Sequence, residues 1–285
     1  MKLISFTHGD IPSYGILDGN SITDLGRRLG AELPDLKSLL GVGLERLADI
    51  DPSPDISLSD VELLPPIPNP GVIWCAGMNT HSHFIEAKDR LGLEEEPGTP
   101  MFFLRAPATI VGSGVSIEKP VKEPAFDYEG EIAIIMGKPC RNISEENALD
   151  YVAGYSCFND GSARMYQIAS HQMTTGKNAW RSGSMGPVLA TADSVDLDTM
   201  RLTTHVNGQP RQVMELDDLI FSFRQLISHI SEVYHLQPGD VIATGSAEGA
   251  GGLRDPATFL AEGDCVDIEV TGIGTLSNTV IEQVL

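Results

Sequence analysis

Three carboxylates are the residues of this sequence best suited to metal chemistry. Glu129 and Glu131 stand two apart in the segment 127–137, so a strand would place both on the same face as Ala133 and Ile135. Glutamates mostly lie at the surface, and a Glu-x-Glu pair on a strand is commonly a solvated face. Here the face continues into residues that favour burial, and two buried like charges need a compensating cation.

Asp160 is the third acid, at the end of the apolar run that leads into Phe158-Asn159-Asp160-Gly161. An aspartate in such a position more often forms a turn or caps a helix. Three carboxylates without a thiolate or a paired imidazole would suit a hard cation, namely Mg²⁺, Mn²⁺ or Ca²⁺. The spacing of these acids in the sequence by itself favours neither a metal site nor a purely structural role for them.

A histidine and a glutamate in the segment 79–90 could form an acid–base pair. His83 and Glu86 are three residues apart, so a helix places them on one face. A carboxylate beside an imidazole orients it and raises its basicity, which suits a general base. The alternative is an incidental pair on a surface helix. A metal pair of His81 with His83 is disfavoured, because residues two apart on a helix do not share a face.

Cationic and amide side chains follow the third acid. Arg164 and Gln167 are three residues apart just after Asp160, and Lys177 ends the loop 174–177. In an acidic protein, cations near a carboxylate cluster are suited to anchoring an anionic substrate, although each could be an ordinary surface group.

The glycine-rich segment 245–252 does not match two common catalytic motifs. It lacks the Gly-Lys-Ser/Thr of a phosphate-binding loop. The residues around Ser246 also do not form the Gly-x-Ser-x-Gly of a serine hydrolase.

The charge of the chain limits its partners. The formal net charge is −21, and a field of that sign repels nucleic acids and anionic membrane surfaces. We therefore expect no nucleic acid and no membrane partner. An anionic substrate would need a local cation, and a metal ion is one solution.

The cysteines and the amino terminus indicate an intracellular setting. The four cysteines are far apart in the sequence and form no CxxC pair, so we expect reduced, buried thiols and not a zinc knot or a disulfide scaffold. The first residues turn polar too soon for a signal peptide, and no apolar run approaches the ~20 residues that span a bilayer. We expect a cytoplasmic protein.

Short strands are the elements expected to position these groups, since glycine and proline are abundant and long helical patterns are scarce. The predicted strands are 72–76, 101–104, 129–136, 152–158, 186–191, 201–206, 240–244, 265–270 and 279–284. The predicted helices are 80–92, 145–150, 162–169 and 217–234. Asn207-Gly208 predicts a hairpin. Strands that are not regularly separated by helices favour a mainly antiparallel sandwich or roll, so we predict an α+β, mainly β fold.

The amino-terminal region is predicted to form a small α/β domain of residues 1–66, followed by a larger domain of residues 67–285. Strands are expected near 3–6 and 14–17, and helices near 24–31 and 35–49. The prolines between residues 64 and 70 exclude a helix or a central strand there, and they mark the boundary.

In their order and mutual spacing, several segments over residues 70–285 resemble the fumarylacetoacetate hydrolase family. The matching segments are Gly77-Met78-Asn79-Thr80-His81-Ser82-His83-Phe84-Ile85-Glu86, Asp127-Tyr128-Glu129-Gly130-Glu131, Asn159-Asp160-Gly161-Ser162-Ala163-Arg164, Gly176-Lys177, Gly186-Pro187, Val206-Asn207-Gly208 and Pro238-Gly239-Asp240-Val241-Ile242-Ala243-Thr244-Gly245. The resemblance implies a β-sandwich roll that forms a homodimer.

The resemblance also implies roles for particular residues. The metal ligands would be Glu129, Glu131 and Asp160, holding Mg²⁺ or Mn²⁺, with Ca²⁺ as a further option. The catalytic residues would be His83, Glu86 and Lys177. The substrate-binding residues would be Arg105, Arg164, Gln167 and Ser246.

Four positions depart from the common family pattern. Tyrosine is common where Thr80 stands, lysine where Arg105 stands, an acidic residue where Trp180 stands, and threonine where Ser246 stands. We predict that Arg105 and Trp180 lie near the end of the substrate that varies between members.

The implied activity is divalent-metal-dependent hydrolysis of a carbon–carbon bond in a 2,4-dioxo acid, either an acylpyruvate or a diketo sugar acid. The products would be pyruvate, or a similar 2-oxo acid, and a carboxylic acid. His83, oriented by Glu86, would activate water, Lys177 would stabilise the enolate, and residues 80–92 would act as a lid.

Other activities share the same site. They are an oxaloacetate decarboxylase, and an isomerase or tautomerase of an unsaturated 2-oxo diacid of the 2-hydroxyhepta-2,4-diene-1,7-dioate type. A non-catalytic binding protein on the same fold is a further alternative. The retained acids speak against it, because a lost activity would leave no reason for buried like charges.

Overall fold

The computed structural model of the protein describes residues 1–170 and 172–284. More residues lie in strands than in helices, which confirms the α+β, mainly β class. The strands are β1 Lys2–His8, β2 Ile11–Asp18, β3 Ser21–Asp24, β4 Ile56–Ser57, β5 Glu62–Leu63, β6 Ile73–Gly77, β7 Met101–Arg105, β8 Ile110–Val111, β9 Ile117–Lys119, β10 Phe126–Asp127, β11 Gly130–Met136, β12 Val152–Asn159, β13 Ser162–Ala163, β14 Gly183–Thr191, β15 Arg201–Val206, β16 Gln209–Glu215, β17 Val241–Ala243, β18 Cys265–Val270 and β19 Gly274–Glu282. The α-helices are α1 Leu25–Leu29, α2 Leu36–Val42, α3 His81–Leu91, α4 Arg164–Ile168, α5 Thr174–Lys177 and α6 Phe223–Val233.

Every predicted strand overlaps an observed one, but several helices are shorter than predicted. The helix expected over 217–234 begins at Phe223, because Ser222 and Gln225 form a capping box there. The helix expected over 35–49 is interrupted at Gly43, which has a φ of 102°, and a short 3₁₀ helix follows. The helix expected over 162–169 begins at Arg164, since the two preceding residues pair with β10.

Two packed sheets form the main body of the fold. The larger sheet runs in the order β4-β3-β2-β1-β14-β12-β11-β17-β6-β7, and the smaller in the order β16-β15-β18-β19-β9. Most neighbouring strands are antiparallel, as predicted, although β6 pairs with β17, β8 with β14 and β9 with β19 in parallel. The smaller sheet packs against β11, β12 and β14, which gives the expected sandwich.

Strand β11 is buried on both faces and supports the candidate site. Ile132 and Ile134 lie in the core between the two sheets, whereas Ala133 and Ile135 lie in a second core on the opposite face. Because side chains alternate along a strand, Glu131 is on the same face as Ala133 and Ile135. The sequence prediction of a carboxylate on a buried face is therefore confirmed.

The amino-terminal strands continue the larger sheet. Strand β1 pairs with β14, with Leu3 opposite Leu189, and Leu3 shares the second core with the apolar side of α2. The segment 64–70 lies outside helices and strands, as its prolines predict. The division into domains at residue 66 stays a prediction.

In the described ranges, no helix is both long and apolar enough to cross a membrane. The four cysteines are free, as expected for thiols. Cys75, Cys140 and Cys157 are buried and Cys265 is half-buried. Burial raises the pKa of the Cys157 thiol to about 12, so this thiol stays protonated and unreactive at neutral pH.

Candidate metal centre and active-site cavity

The three predicted metal ligands lie together at one end of a strand pair. Strands β11 and β12 are antiparallel, with Gly130 opposite Asn159. This register brings Glu129 beside Asp160, and Glu131 projects from the same end of β11. One carboxylate oxygen of each acid lies within 4.8 Å of the others, and all three side chains are buried.

Cationic side chains neutralise two of these acids. Lys177 Nζ contacts the Glu129 carboxylate and donates to Asp160 Oδ2 at 2.6 Å. Arg164 lies 2.7 Å from Glu129 Oε1, and Arg105 lies 2.6 Å from Asp160 Oδ1. Although burial alone would raise the pKa of Glu129, the Arg164 and Lys177 charges hold it well below its usual range.

Glu131 has a hydrogen bond but no ion pair within the part of the chain that the structure describes. Its Oε2 accepts from the Gly245 backbone N–H at 2.8 Å. Burial, followed by the charges of Asp160 and Glu129, raises the pKa of Glu131 well above its usual range. A buried carboxylate without a countercharge, beside two others, fits a site for a divalent cation. An all-oxygen donor set suits Mg²⁺ or Mn²⁺, and Ca²⁺ is chemically compatible.

A cavity of about 400 Å³ opens onto the three acids. The predicted residues that line it together with the acids are His83, Arg164, Gln167, Lys177 and Ser246. Arg164 and Lys177 contact the acids directly, and we call the part of the cavity around these charged groups its polar end. Glu86 and Arg105 are not among the lining residues.

Lys177 reaches the acids because two short helices pack very closely. A Cβ atom on Gly176 would lie 2.4 Å from Cβ of Gln167, so the contact between α4 and α5 requires glycine at this position. Lys177 follows at the end of α5 and is buried. Burial by itself lowers the pKa of Lys177, but the Asp160 and Glu129 charges outweigh it and raise that pKa. The ammonium therefore stays charged.

The predicted His–Glu dyad is adjacent but not joined by a hydrogen bond. His83 Nδ1 lies 3.7 Å from Glu86 Oε2, and although it is buried it has no hydrogen-bond partner among residues 1–170 and 172–284. Both Glu86 oxygens lie 3.1 Å from the Gly249 backbone nitrogen. The carboxylate is thus engaged by the glycine-rich loop and does not orient the imidazole in this conformation.

Helix α3 forms the roof of the cavity and is fastened to the same loop. Thr80 caps the helix and donates to the Ser246 carbonyl at 2.8 Å. Ser82 Oγ lies 2.5 Å from Asp218 Oδ2, and Arg90 donates to the Gly252 carbonyl at 3.1 Å. A lid would have to lie in this position. That the helix moves as a lid stays a prediction.

Arg105 is placed differently from our prediction. Its side chain is 0% exposed, and it lies behind the acids, where it donates to Asp160, to the Gly161 carbonyl at 3.0 Å and to Ser182 Oγ at 2.8 Å. These contacts hold a candidate metal ligand, and Arg105 does not line the cavity. Trp180, predicted beside the substrate, is 55% exposed and does not line the cavity.

Replacing Arg105 with methionine should therefore lower stability rather than change substrate preference. The change leaves Asp160 buried with one cation fewer, and breaking a buried ion pair typically costs about 3–5 kcal/mol. We expect a loss of stability near the lower end of this range, because Lys177 still pairs with Asp160. Urea unfolding of the metal-free protein measures the effect. Arg105→Lys keeps the positive charge but loses the forked donors of the guanidinium group, so it should lower the free energy of unfolding by less. A shift in relative activity among substrates at unchanged stability would restore the substrate-binding role.

Two further residues of the site were missed in the sequence. Asp127 is fully buried and accepts from Arg164 Nε at 2.8 Å and from the Gly251 backbone N–H at 2.8 Å. Gln212 donates to Ser246 Oγ at 2.7 Å. Asp127 could have been suspected from its place two residues before Glu129, whereas no local signal marks Gln212.

Comparisons with known proteins identify relatives of this chain. Residues 72–281 match the family described as fumarylacetoacetate (FAA) hydrolase C-terminal. The chain is 40% identical over 228 residues to the oxaloacetate tautomerase YisK of Bacillus subtilis, covering 79% of this chain and 74% of that protein. It is 34% identical over 294 residues to a mitochondrial oxaloacetate tautomerase of Xenopus laevis, covering 99% of this chain and 90% of that protein. A structure of maleylpyruvate hydrolase from a Sphingobium species, in complex with manganese(II) and pyruvate, superimposes with a TM-score of 0.82 at 28% identity, and the match covers 100% of both chains.

Proposed function

We propose, since this chain belongs to the fumarylacetoacetate hydrolase family, that it is a metal-dependent keto–enol tautomerase of a small 2-oxo diacid such as oxaloacetate. The reaction moves hydrogen between the oxygen on C2 and the carbon C3, and no carbon–carbon bond breaks. It needs a site that holds the 2-oxo acid and one group that exchanges a proton with C3.

The state of His83 is the observation that carries this proposal. His83 lines the cavity, and its buried Nδ1 has no hydrogen-bond partner in the part of the chain that the structure describes. Glu86, which would have to orient the imidazole for attack by water, is held by the Gly249 N–H instead. An imidazole without its orienting carboxylate can exchange a proton with a bound acid, but it is poorly prepared to activate a nucleophile.

The names of two relatives support the same reaction. Both the Bacillus subtilis and the Xenopus laevis protein are described as oxaloacetate tautomerases. Family membership supports an enzymatic activity. The choice of tautomerisation over the hydrolysis expected from the sequence is our proposal.

The residues of the cavity divide the chemical work between them. Glu129, Glu131 and Asp160 would hold a divalent cation, which when bound supplies a Lewis acid for the oxygens of a 2-oxo acid. Lys177 Nζ donates to the oxygen on C2 as negative charge grows there. His83 Nε2 delivers a proton to C3 of the enol. The enol proton leaves to solvent at the cavity mouth and His83 is reprotonated from solvent, so the protons balance over a turnover.

Hydrolysis of a 2,4-dioxo acid is the second candidate, and one distance favours it. His83 Nδ1 and Glu86 Oε2 are 3.7 Å apart, so a small movement of the Glu86 side chain would close the dyad. Catalytic hydrogen bonds are often long before the substrate binds and shorten in the complex.

A direct comparison of the two reactions tests the proposal. We expect the purified protein with Mg²⁺ or Mn²⁺ to accelerate the loss of the enol absorbance of oxaloacetate well above the buffer rate. Acetylpyruvate cleavage, followed as pyruvate release, should proceed with a lower kcat/KM. Both activities should disappear with EDTA and return with metal. Rapid acetylpyruvate cleavage without tautomerisation would reverse the order of the two candidates.

A further inference from the structure

We infer that the same cavity accepts 2-oxo acids with an aryl substituent on C3, the arylpyruvates, and tautomerises them. This inference rests on the proposed function and extends it to a substrate class, with phenylpyruvate as the representative. The cavity has a polar end and an apolar end, and the two ends match the two halves of such a molecule.

The apolar end is built from flexible and aromatic side chains. Met101, Phe103 and Met173 form it together around Gly77. Met165, Leu253 and Phe259 also line the cavity. Methionines fill irregular gaps, and their sulfur atoms make favourable contacts with aromatic rings. An aryl ring is therefore a better occupant of this end than a charged group.

Gly77 keeps the apolar end open. It is the last residue of β6, and a Cβ atom built on it would lie 3.0 Å from Met101 Cε, 3.6 Å from Met173 Cε and 3.9 Å from Phe103 Cε1. The absent side chain would project among these three residues. The space at the apolar end thus depends directly on glycine at position 77.

The cations of the described residues that line the cavity are paired with carboxylates, and Lys177 Nζ lies 5.3 Å from the centre of the Phe103 ring, where the two ends meet. Arg164 contacts Asp127, Glu129 and Gln167, and Lys177 contacts Glu129 and Asp160. Because these cations are already paired, a carboxylate placed among the methionines would be desolvated with no free cation among the described lining residues, which is costly. A neutral ring incurs no such cost.

The size of the cavity points the same way. At about 400 Å³ it falls within the roughly 300–1,000 Å³ of pockets that bind drug-sized ligands. A four-carbon acid bound at the carboxylates fills the polar end and leaves the apolar wall in contact with water. An aryl group on C3 would cover that wall and gain the hydrophobic contribution of its burial.

The test measures enol-to-keto conversion of phenylpyruvate and oxaloacetate side by side, with the whole protein and saturating Mg²⁺. We expect acceleration of both. Acceleration of oxaloacetate conversion without phenylpyruvate would overturn this inference and leave the proposed function standing. Failure with both substrates would overturn the two together.

Filling the apolar end should separate the two substrates. Gly77→Leu is expected to lower the ratio of kcat/KM for phenylpyruvate over oxaloacetate by at least about 10-fold, the scale on which a hydrophobic pocket discriminates shape. Gly77→Ala, which intrudes less, should lower the ratio less and guards against loss of folding. Gly41→Leu is the matched control, since Gly41 on α2 is exposed and has no atom within 4 Å of its Cβ position. An unchanged ratio in both Gly77 variants would overturn the assignment of the aryl group to this end.

Discussion

Replacing Glu131 with glutamine is expected to abolish metal-dependent turnover while the protein stays folded. Glutamine keeps the size of the side chain and can still accept the hydrogen bond from Gly245 N–H. It removes one of three negative charges from the candidate metal centre. Loss of groups around a metal site that do not touch the metal already costs ~10–100-fold in affinity, so loss of a direct ligand should exceed the upper end of that range.

The same change should leave the metal-free protein at least as stable as the unchanged chain. Burial and the charges of Asp160 and Glu129 raise the pKa of Glu131 well above its usual range, because the ionised form is destabilised there. Glutamine resembles the protonated carboxyl group and removes the repulsion. Urea unfolding with EDTA measures stability, and isothermal titration with Mn²⁺ measures affinity. The conservative control is Glu62→Gln at an exposed position of β5, which should change neither stability nor Mn²⁺ affinity.

One outcome would contradict the metal assignment. If Glu131→Gln bound Mn²⁺ as tightly as the unchanged chain, the three carboxylates would not form the metal site. The buried charge of Glu131 would then need another explanation.

The sequence predicted the burial of Glu131 because the signal for it is local. Alternation along one strand puts Glu131 on the face of Ala133 and Ile135, and burial of that face follows from its neighbours. The joining of Asp160 to this cluster depended on the register of β11 with β12. That register is a long-range property, and the family resemblance supplied it where the spacing alone could not.

Arg105 illustrates what a sequence pattern leaves undetermined. Its position in the chain indicated proximity to the site, and the structure places it there. The side of the site that it faces depends on the pairing of β7 with β6 and on packing against Ser182 of the segment before β14. The difference between a substrate anchor and a support for Asp160 is set by those tertiary contacts.

The predicted start of the helix over 217–234 was wrong, although the sequence contains the local signal for the observed start. Ser222 and Gln225 have the spacing of a capping box, and this signal was present in the sequence. The continuous apolar pattern of the region favoured an earlier start.

The hydrogen bond between the Gly249 N–H and Glu86, which competes with a Glu86–His83 hydrogen bond, had no comparable signal in the sequence, because it joins residues far apart in the chain.

Removal of the His83 imidazole is expected to have the second large effect. His83→Ala should reduce oxaloacetate tautomerisation by ~10²–10⁴-fold, the usual contribution of a general acid or base. Mn²⁺ affinity should change little, since His83 is not one of the three clustered ligands. The matched control is His81→Ala on the same helix. His81 lies 2.7 Å from Glu96 in an exposed pair and does not line the cavity, so its loss should leave activity and Mn²⁺ affinity unchanged.

Glu86→Gln separates proton transfer from activation of water. Glutamine can still accept from Gly249 N–H, so the roof of the cavity should stay docked. If His83 acts without Glu86, tautomerisation should fall far less in Glu86→Gln than in His83→Ala. Acetylpyruvate cleavage requires an oriented base, so it should fall comparably in both variants. Tautomerisation that falls equally in both variants would mean that the 3.7 Å gap between His83 and Glu86 closes during turnover. His83 and Glu86 would then act together in catalysis, and hydrolysis would become the favoured function.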